Sequence, residues 1–286
     1  MGVLPGNRVV FDRPGGLRPP VGFVRNFAQP EAVLLRSQTI SWAAGLQRGR
    51  GVSRTSFATL AFFDAPPGLR RTESAVEGGT MTIEAKKYDD LVGNLEGFSP
   101  KQIEQHIKLY QGYVKKINEI RAEMEKIPFG ERKDKANFSF GKYSELKRRE
   151  SVPYNGTYLH EMYFDNLGGS RAKPKADLTR AIEGAFGSQS NWEEDLRACA
   201  ETATGGWVLL TYDRIDEKLH HNQVWEHSNG IMLNQEHLLA LDTWEHAFMI
   251  DFGTDKKSYL TAFLANVNWK VVAERLDKAT QRARAA

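Results

Sequence analysis

From Ser99 onward the chain alternates apolar and polar residues with a helical period. Ile103, His106, Ile107, Tyr110, Tyr113, Val114 and Ile117 recur at three- and four-residue steps, and Ser99-Pro100 reads as an N-cap followed by proline at the first helical position. Residues 127–150 interrupt the pattern with Pro128, Gly130 and Gly141 among many charges, which predicts a solvated connection. A second helix is expected over roughly 155–167, antiparallel to the first and ended by Gly168-Gly169.

Beyond Pro174 the period changes. Leu178, Ile182, Ala185 and Phe186 predict an amphipathic helix, and Trp192, Leu196 and Cys199 another. Trp207–Tyr212 and Leu219–Trp225 read as strands joined by the polar turn Asp213–Lys218, with a third strand in the 236–250 stretch. Asp255–Leu276 is expected to close the chain as a helix, with Tyr259, Phe263, Val267 and Val271 on one stripe. The fold class is therefore α+β: an N-terminal antiparallel helical hairpin (81–170), then an α+β unit (171–286) with a small antiparallel sheet flanked by helices.

Residues 1–80 lack such a period. They hold ten arginines, no lysine and five acids, whereas the remainder holds 29 basic and 31 acidic residues. The overall charge of +3 is thus a property of the leader, and no nucleic-acid footprint is read from it. The leader fits a transit-like extension, a disordered basic tail, or translated upstream sequence with the true start at Met81. The last is preferred, because every lysine lies beyond that methionine. A single cysteine, Cys199, excludes an internal disulfide framework and fits a reducing, cytoplasmic setting. No apolar run reaches the length of a membrane span, so no membrane partner is expected.

The candidate chemistry centres on Leu241-Asp242-Thr243-Trp244-Glu245-His246-Ala247-Phe248. Asp242 and His246 are four residues apart, a spacing that projects both from one side of a helix or from a strand end running into one. Set in so apolar a run, such a pair needs partners, and a metal ion is one. A solvated Asp–His ion pair is the plainer alternative.

Read together with other segments, this stretch resembles the iron/manganese superoxide dismutase family. The likeness runs from about Tyr88 to Leu276. It is carried by Phe98-Ser-Pro-Lys-Gln-Ile-Glu-Gln-His106, Tyr113-Val114, His160-x-x-x-Phe164-x-x-Leu167, Phe186-Gly187-Ser188, Gly205-Gly206-Trp207, Asp242-x-Trp-Glu-His-Ala-Phe248, Tyr259-Leu260 and Asn266-Val-Asn-Trp269, in family order. The resemblance implies one iron or manganese ion per subunit, with iron preferred, held by His106, His160, Asp242 and His246. Three imidazoles and a carboxylate suit a first-row metal of borderline hardness. It also implies superoxide as substrate, with dioxygen and hydrogen peroxide as products. A homodimer or tetramer would have Glu245 at its interface.

The resemblance assigns Tyr113 as the gateway tyrosine, although it follows His106 by seven residues where eight is usual. Many members hold a glutamine against the metal-bound solvent. Here one of its two usual positions is Gly156 and the other aligns with His227, so the imidazole is expected to take that role. Tyr110 and Met249 depart from the family residues at two positions that meet between subunits. His220 and His221 are read as surface or edge residues, and His237 is unassigned. Trp244, Trp207 and Phe164 would form an aromatic wall. Lys108, Lys115 and Lys116 could raise positive potential at the mouth or simply face solvent. Two rival readings remain: a non-haem iron enzyme activating dioxygen, disfavoured by four protein ligands, and a catalytically silent relative kept for binding or scaffolding.

Overall fold

The computed structural model describes residues 82–169 and 171–285. The leader and the start at Met81 lie outside them. Helix α1 spans Pro100–Glu125; the Ser99 hydroxyl accepts from the Gln102 amide, and Pro100 needs no partner at the first position. Its buried stripe is Gln102, Ile103, His106, Ile107, Tyr110, Val114 and Ile117. Helix α2 spans Lys142–Asp165. The two run antiparallel: Glu123 pairs with Lys142 and Arg121 with Glu150 at one end, while the His106 and His160 rings lie 5.1 Å apart toward the other.

Helix α2 starts well before the expected residue 155. Pro153 stands inside it, and the charged residues 142–152 hid the helical period because little of that face is buried. A proline there removes one hydrogen bond without ending the helix. The Pro153 carbonyl takes a second donor, the Thr157 hydroxyl, at 2.8 Å.

Helices α3 (Ala176–Phe186) and α4 (Gln189–Thr202) lead to strands β1 (Gly206–Asp213), β2 (Leu219–Trp225) and β3 (Gln235–Asp242), antiparallel in the order β2-β1-β3. The central β1 is buried at every position but its last, as a strand flanked and covered on both faces must be. Trp207 pairs with Val224 on one side and Asp242 on the other, which brings the end of β3 beside the start of β1. The short α5 (Met249–Phe252), α6 (Lys256–Ala265) and α7 (Trp269–Ala285) follow.

The single closing helix expected over Asp255–Leu276 is two helices, broken at 266–268. The break satisfies a neighbouring loop: the Asn266 carbonyl accepts from Gly169 and the Asn268 amide donates to Asn166. A Cβ at Gly169 would stand 1.9 Å from the Val267 carbonyl oxygen, so only glycine permits that approach. The break also rotates the stripe, and Val272 is buried where Val271 was expected. His221 differs too. Its side chain is wholly buried beside Phe186 and Trp192, with Nδ1 2.6 Å from Asp195, although the strand alternation placed it at the surface.

Candidate metal centre

Four side chains from three elements and a turn converge at one end of the hairpin. His106 comes from α1, His160 from α2, Asp242 from the last residue of β3, and His246 from a 3-10 turn over Glu245–Ala247. Their ligand-capable atoms all lie within 4.8 Å of one another. Asp242 Oδ2 stands 3.1 Å from Nε2 of both His106 and His246 and 3.7 Å from Nε2 of His160. The side chains of His106, His160 and Asp242 are fully buried, and that of His246 is 26% exposed.

Hydrogen bonding fixes which atoms face inward. Nδ1 of His160 donates to the Gly156 carbonyl at 2.6 Å, so its Nε2 carries only a lone pair. That lone pair stands 3.4 Å from Nε2 of His246. Asp242 Oδ1 accepts from the Trp244 amide at 2.9 Å, which leaves Oδ2 for the cluster. Inward-facing nitrogens around one carboxylate oxygen, in a dry setting, form a cage that a cation satisfies better than a shared proton can. The donor set therefore fits a first-row metal ion.

Electrostatics agree. Burial pushes His106 below the ordinary histidine range, against the pull of Asp242, and burial together with His106 pushes His160 well below it. Both rings are thus neutral, the form that ligates. Burial alone would raise Asp242, but His246 and His106 outweigh it and hold the carboxyl below its usual range, ionised.

The support around the cluster was not read from the sequence. Gln102, one helical turn before His106, donates to the His246 carbonyl at 2.7 Å and accepts from the Ile250 amide at 3.1 Å, tying α1 to the turn that carries His246. Gln102 lies within the family-like segment Phe98–His106, one turn from the stripe residue His106, and that was the available signal. Tyr259 donates to the Asp242 carbonyl at 2.6 Å. Nδ1 of His106 is buried with no hydrogen-bond partner among the described residues, and Tyr163 and Phe164 pack against that ring.

Tyr113 and His227 meet beside the cluster. Trp207 Nε1–H, which can only donate, gives its hydrogen to His227 Nδ1 at 3.0 Å. The His227 proton therefore sits on Nε2, which donates to the Tyr113 oxygen at 2.6 Å. The phenol hydrogen is left free to point elsewhere, with its ring 5.2 Å from that of His160. Burial pushes Tyr113 up to about 12 and His227 down to about 4, so both are neutral at ordinary pH. The loop that delivers His227 bends sharply: Trp225 and Asn229 exchange backbone hydrogen bonds, and Glu226 adopts φ 55°.

The other residues singled out in the sequence fall as follows. Tyr110 is fully buried; its hydroxyl donates to Glu161 and accepts from the Lys86 amide, both at 2.9 Å. Trp244 stacks near His246 and His227, and Glu245, Met249 and Ile250 are exposed on the adjoining turn and helix. His220 is paired with Asp216.

Comparison with known proteins gives the chain its class. The family model for iron/manganese superoxide dismutases, C-terminal domain, matches residues 174–275. A superoxide dismutase [Fe] of Aquifex aeolicus is 38% identical over 188 residues, covering 65% of this chain and 87% of that protein. One of Cupriavidus metallidurans, also named [Fe], is 33% identical over 204 residues, 70% of this chain and 100% of its own. A superoxide dismutase [Mn] of Haloarcula marismortui is 33% identical over 178 residues, 60% and 82% respectively. The chain belongs to the iron/manganese superoxide dismutase family, whose members are oxidoreductases.

Proposed function

We propose that this protein disproportionates superoxide at one iron or manganese ion held by His106 Nε2, His160 Nε2, Asp242 Oδ2 and His246 Nε2. The observation that carries this reading is the convergence of those four atoms within 4.8 Å, in a chain whose relatives are named for the activity. The bound ion supplies one-electron chemistry, oxidising one superoxide to dioxygen and reducing a second to the peroxide level. The protein supplies the rest. Neutral His106 and His160 and ionised Asp242 supply one negative charge between them, which would offset one unit of a trivalent or divalent cation's charge. The Trp207–His227–Tyr113 chain orients one proton, on the phenol oxygen, toward the side where a small anion would arrive. Because Tyr113 keeps its proton to about pH 12, it can donate to a developing peroxide across the working range. Trp207 and Trp244 line the approach and exclude bulk water.

Iron is preferred over manganese, since two of the relatives above are named for iron. The hairpin over 81–170 and the α+β unit over 171–286 would each contribute two ligands, so the ion would bridge them. A homodimer or tetramer placing exposed Glu245 at an interface, and a cytoplasmic setting, complete the reading. Metal analysis of the purified protein, joined to a superoxide-disappearance assay, tests it. Iron or manganese near one per chain and an activity abolished in His246→Ala are expected. A zinc-loaded, inactive protein would instead identify a silent relative.

A further inference from the structure

The connection between α1 and α2 carries three phenylalanines turned away from the protein. Phe129 is 84% exposed, Phe138 94% and Phe140 76%. The loop around them is fastened down. Arg132 donates to the Ile127 carbonyl and lies over the Phe129 ring, 3.9 Å from its centroid. Arg148 donates to the Phe138 carbonyl, the Asn137 amide donates to Ser144, and the Tyr143 amide donates to the Lys135 carbonyl. An ordered loop that presents three largely exposed phenyl rings to water, two of them with an arginine over one face, is an interaction surface.

The charge around the rings says what kind of partner it fits. Residues 123–150, which include the acids that pair with Lys126, Lys142 and Lys147, hold eight basic and six acidic side chains, while the other residues beyond Met81 hold 21 basic and 25 acidic. The positive charge is therefore concentrated here against an acidic background. Lys133 and Arg149 are exposed and make no ion pair among the described residues. A second copy meeting this face with its own would set two net-positive patches against each other, so charge argues for an anionic partner. Phenyl rings have no hydrogen-bonding edge with which to read base identity or a peptide backbone; they can stack on single-stranded bases, an outcome the oligonucleotide arm of the test separates. Apolar rings ringed by lysine and arginine match the requirements of an anionic bilayer surface, into which the rings sink while the cations meet headgroups.

We infer that the Phe129–Phe138–Phe140 tip binds the surface of membranes rich in anionic lipid. The expectation of no membrane partner rested on the absence of a spanning segment, which does not bear on binding at a membrane surface. The tip lies about 28 Å along α1 from His106, at 1.5 Å per residue. Docking there leaves the metal centre clear.

Sedimentation of the full-length protein with vesicles tests this. Vesicles of phosphatidylcholine mixed with phosphatidylglycerol should pellet at least roughly tenfold more protein than phosphatidylcholine alone, and raised salt should reverse it. The variant combining Phe129→Ser, Phe138→Ser and Phe140→Ser should lose that binding while keeping the parent's dismutase activity and elution volume. A parent that stays in the supernatant with both vesicles would overturn the inference, as would a triple variant that pellets like the parent. A triple variant with a smaller assembly size, alongside a parent that ignores vesicles, would assign the tip to contact between copies. Retention of the parent on a single-stranded oligonucleotide but not on vesicles would assign it to nucleic acid.

Discussion

The ring of Tyr113 lies on the backbone of Gly156, so closely that a Cβ at 156 would stand 2.8 Å from the tyrosine Cδ1 and 3.0 Å from Cγ. The glycine is mid-helix, where it costs about 1 kcal/mol relative to alanine. Its absent side chain makes the space in which Tyr113 reaches His227. Gly156→Ala should therefore gain helix propensity and lose more to overpacking, typically about 1–3 kcal/mol. The expected outcome is a net loss of about 1 kcal/mol in urea unfolding and a kcat lowered by roughly an order of magnitude as the phenol is displaced. In a Tyr113→Ala background the same substitution should stabilise, since nothing remains to clash with. A double-mutant cycle without that sign change would show that the two residues are not coupled.

His227 makes a second prediction, about pH. Burial holds its folded pKa at about 4, whereas an unfolded imidazole titrates near ~6.5. Between those values the unfolded chain binds more protons. Stability thus rises with pH through the window and is lost as pH falls from about 6.5 toward 4. In His227→Gln this contribution disappears, so the urea midpoint of the metal-free protein should depend less steeply on pH there. The amide can still accept from Trp207 and donate to Tyr113, so activity should persist with an altered metal preference or pH profile. A variant matching the parent in stability slope, metal preference and profile would remove His227 from the proton chain.

The parts of the molecule that sequence made legible are those whose signal is local. Strand β2 spans Leu219–Trp225 as read, because its ends are marked by a polar turn and by Glu226-His227. The α1 stripe is continuous because Ser99 and Pro100 start it cleanly. His106, His160, Asp242 and His246 could be named together only through a family likeness, since nothing in spacing alone joins residues 136 apart. What escaped depended on pairs distant in the chain. Gly156 looked like a missing hydrogen bonder, but its role is defined by Tyr113, 43 residues earlier. The proton on His227 is placed by Trp207, and the break at 266–268 by a loop a hundred residues upstream. His221 was misplaced because alternation along an edge strand assumes solvent on one face, and α3 and α4 cover that face.

Gln102 carries a third prediction. It is fully buried, and its amide closes one hydrogen bond to the His246 carbonyl and another from the Ile250 amide. Gln102→Leu keeps the volume and deletes both bonds, leaving two partly buried backbone groups unpaired at about 1–2 kcal/mol each. Stability should fall by about 2–4 kcal/mol. Because the turn bearing His246 loses its anchor to α1, metal content after dialysis should fall as well. If stability dropped while metal was retained in full, Gln102 would be a packing residue with no part in holding the site.

Removing the ion is the last test, and its sign follows from burial. Asp242, His106 and His160 are wholly enclosed, and no lysine or arginine pairs with Asp242 among the described residues. Without a cation, the carboxylate is satisfied only by shared imidazole protons and the Trp244 amide, and the facing nitrogens of His160 and His246 repel. A ligand present at a thousand times its dissociation constant stabilises by about 4 kcal/mol. Chelation should therefore lower the thermal midpoint by several degrees, and readdition of iron or manganese should restore it. His246→Ala should unfold near the chelated parent's midpoint and respond to neither treatment. A parent whose midpoint ignored chelator, after verified metal loss, would mean that the four groups satisfy one another and that no ion helps hold the fold together.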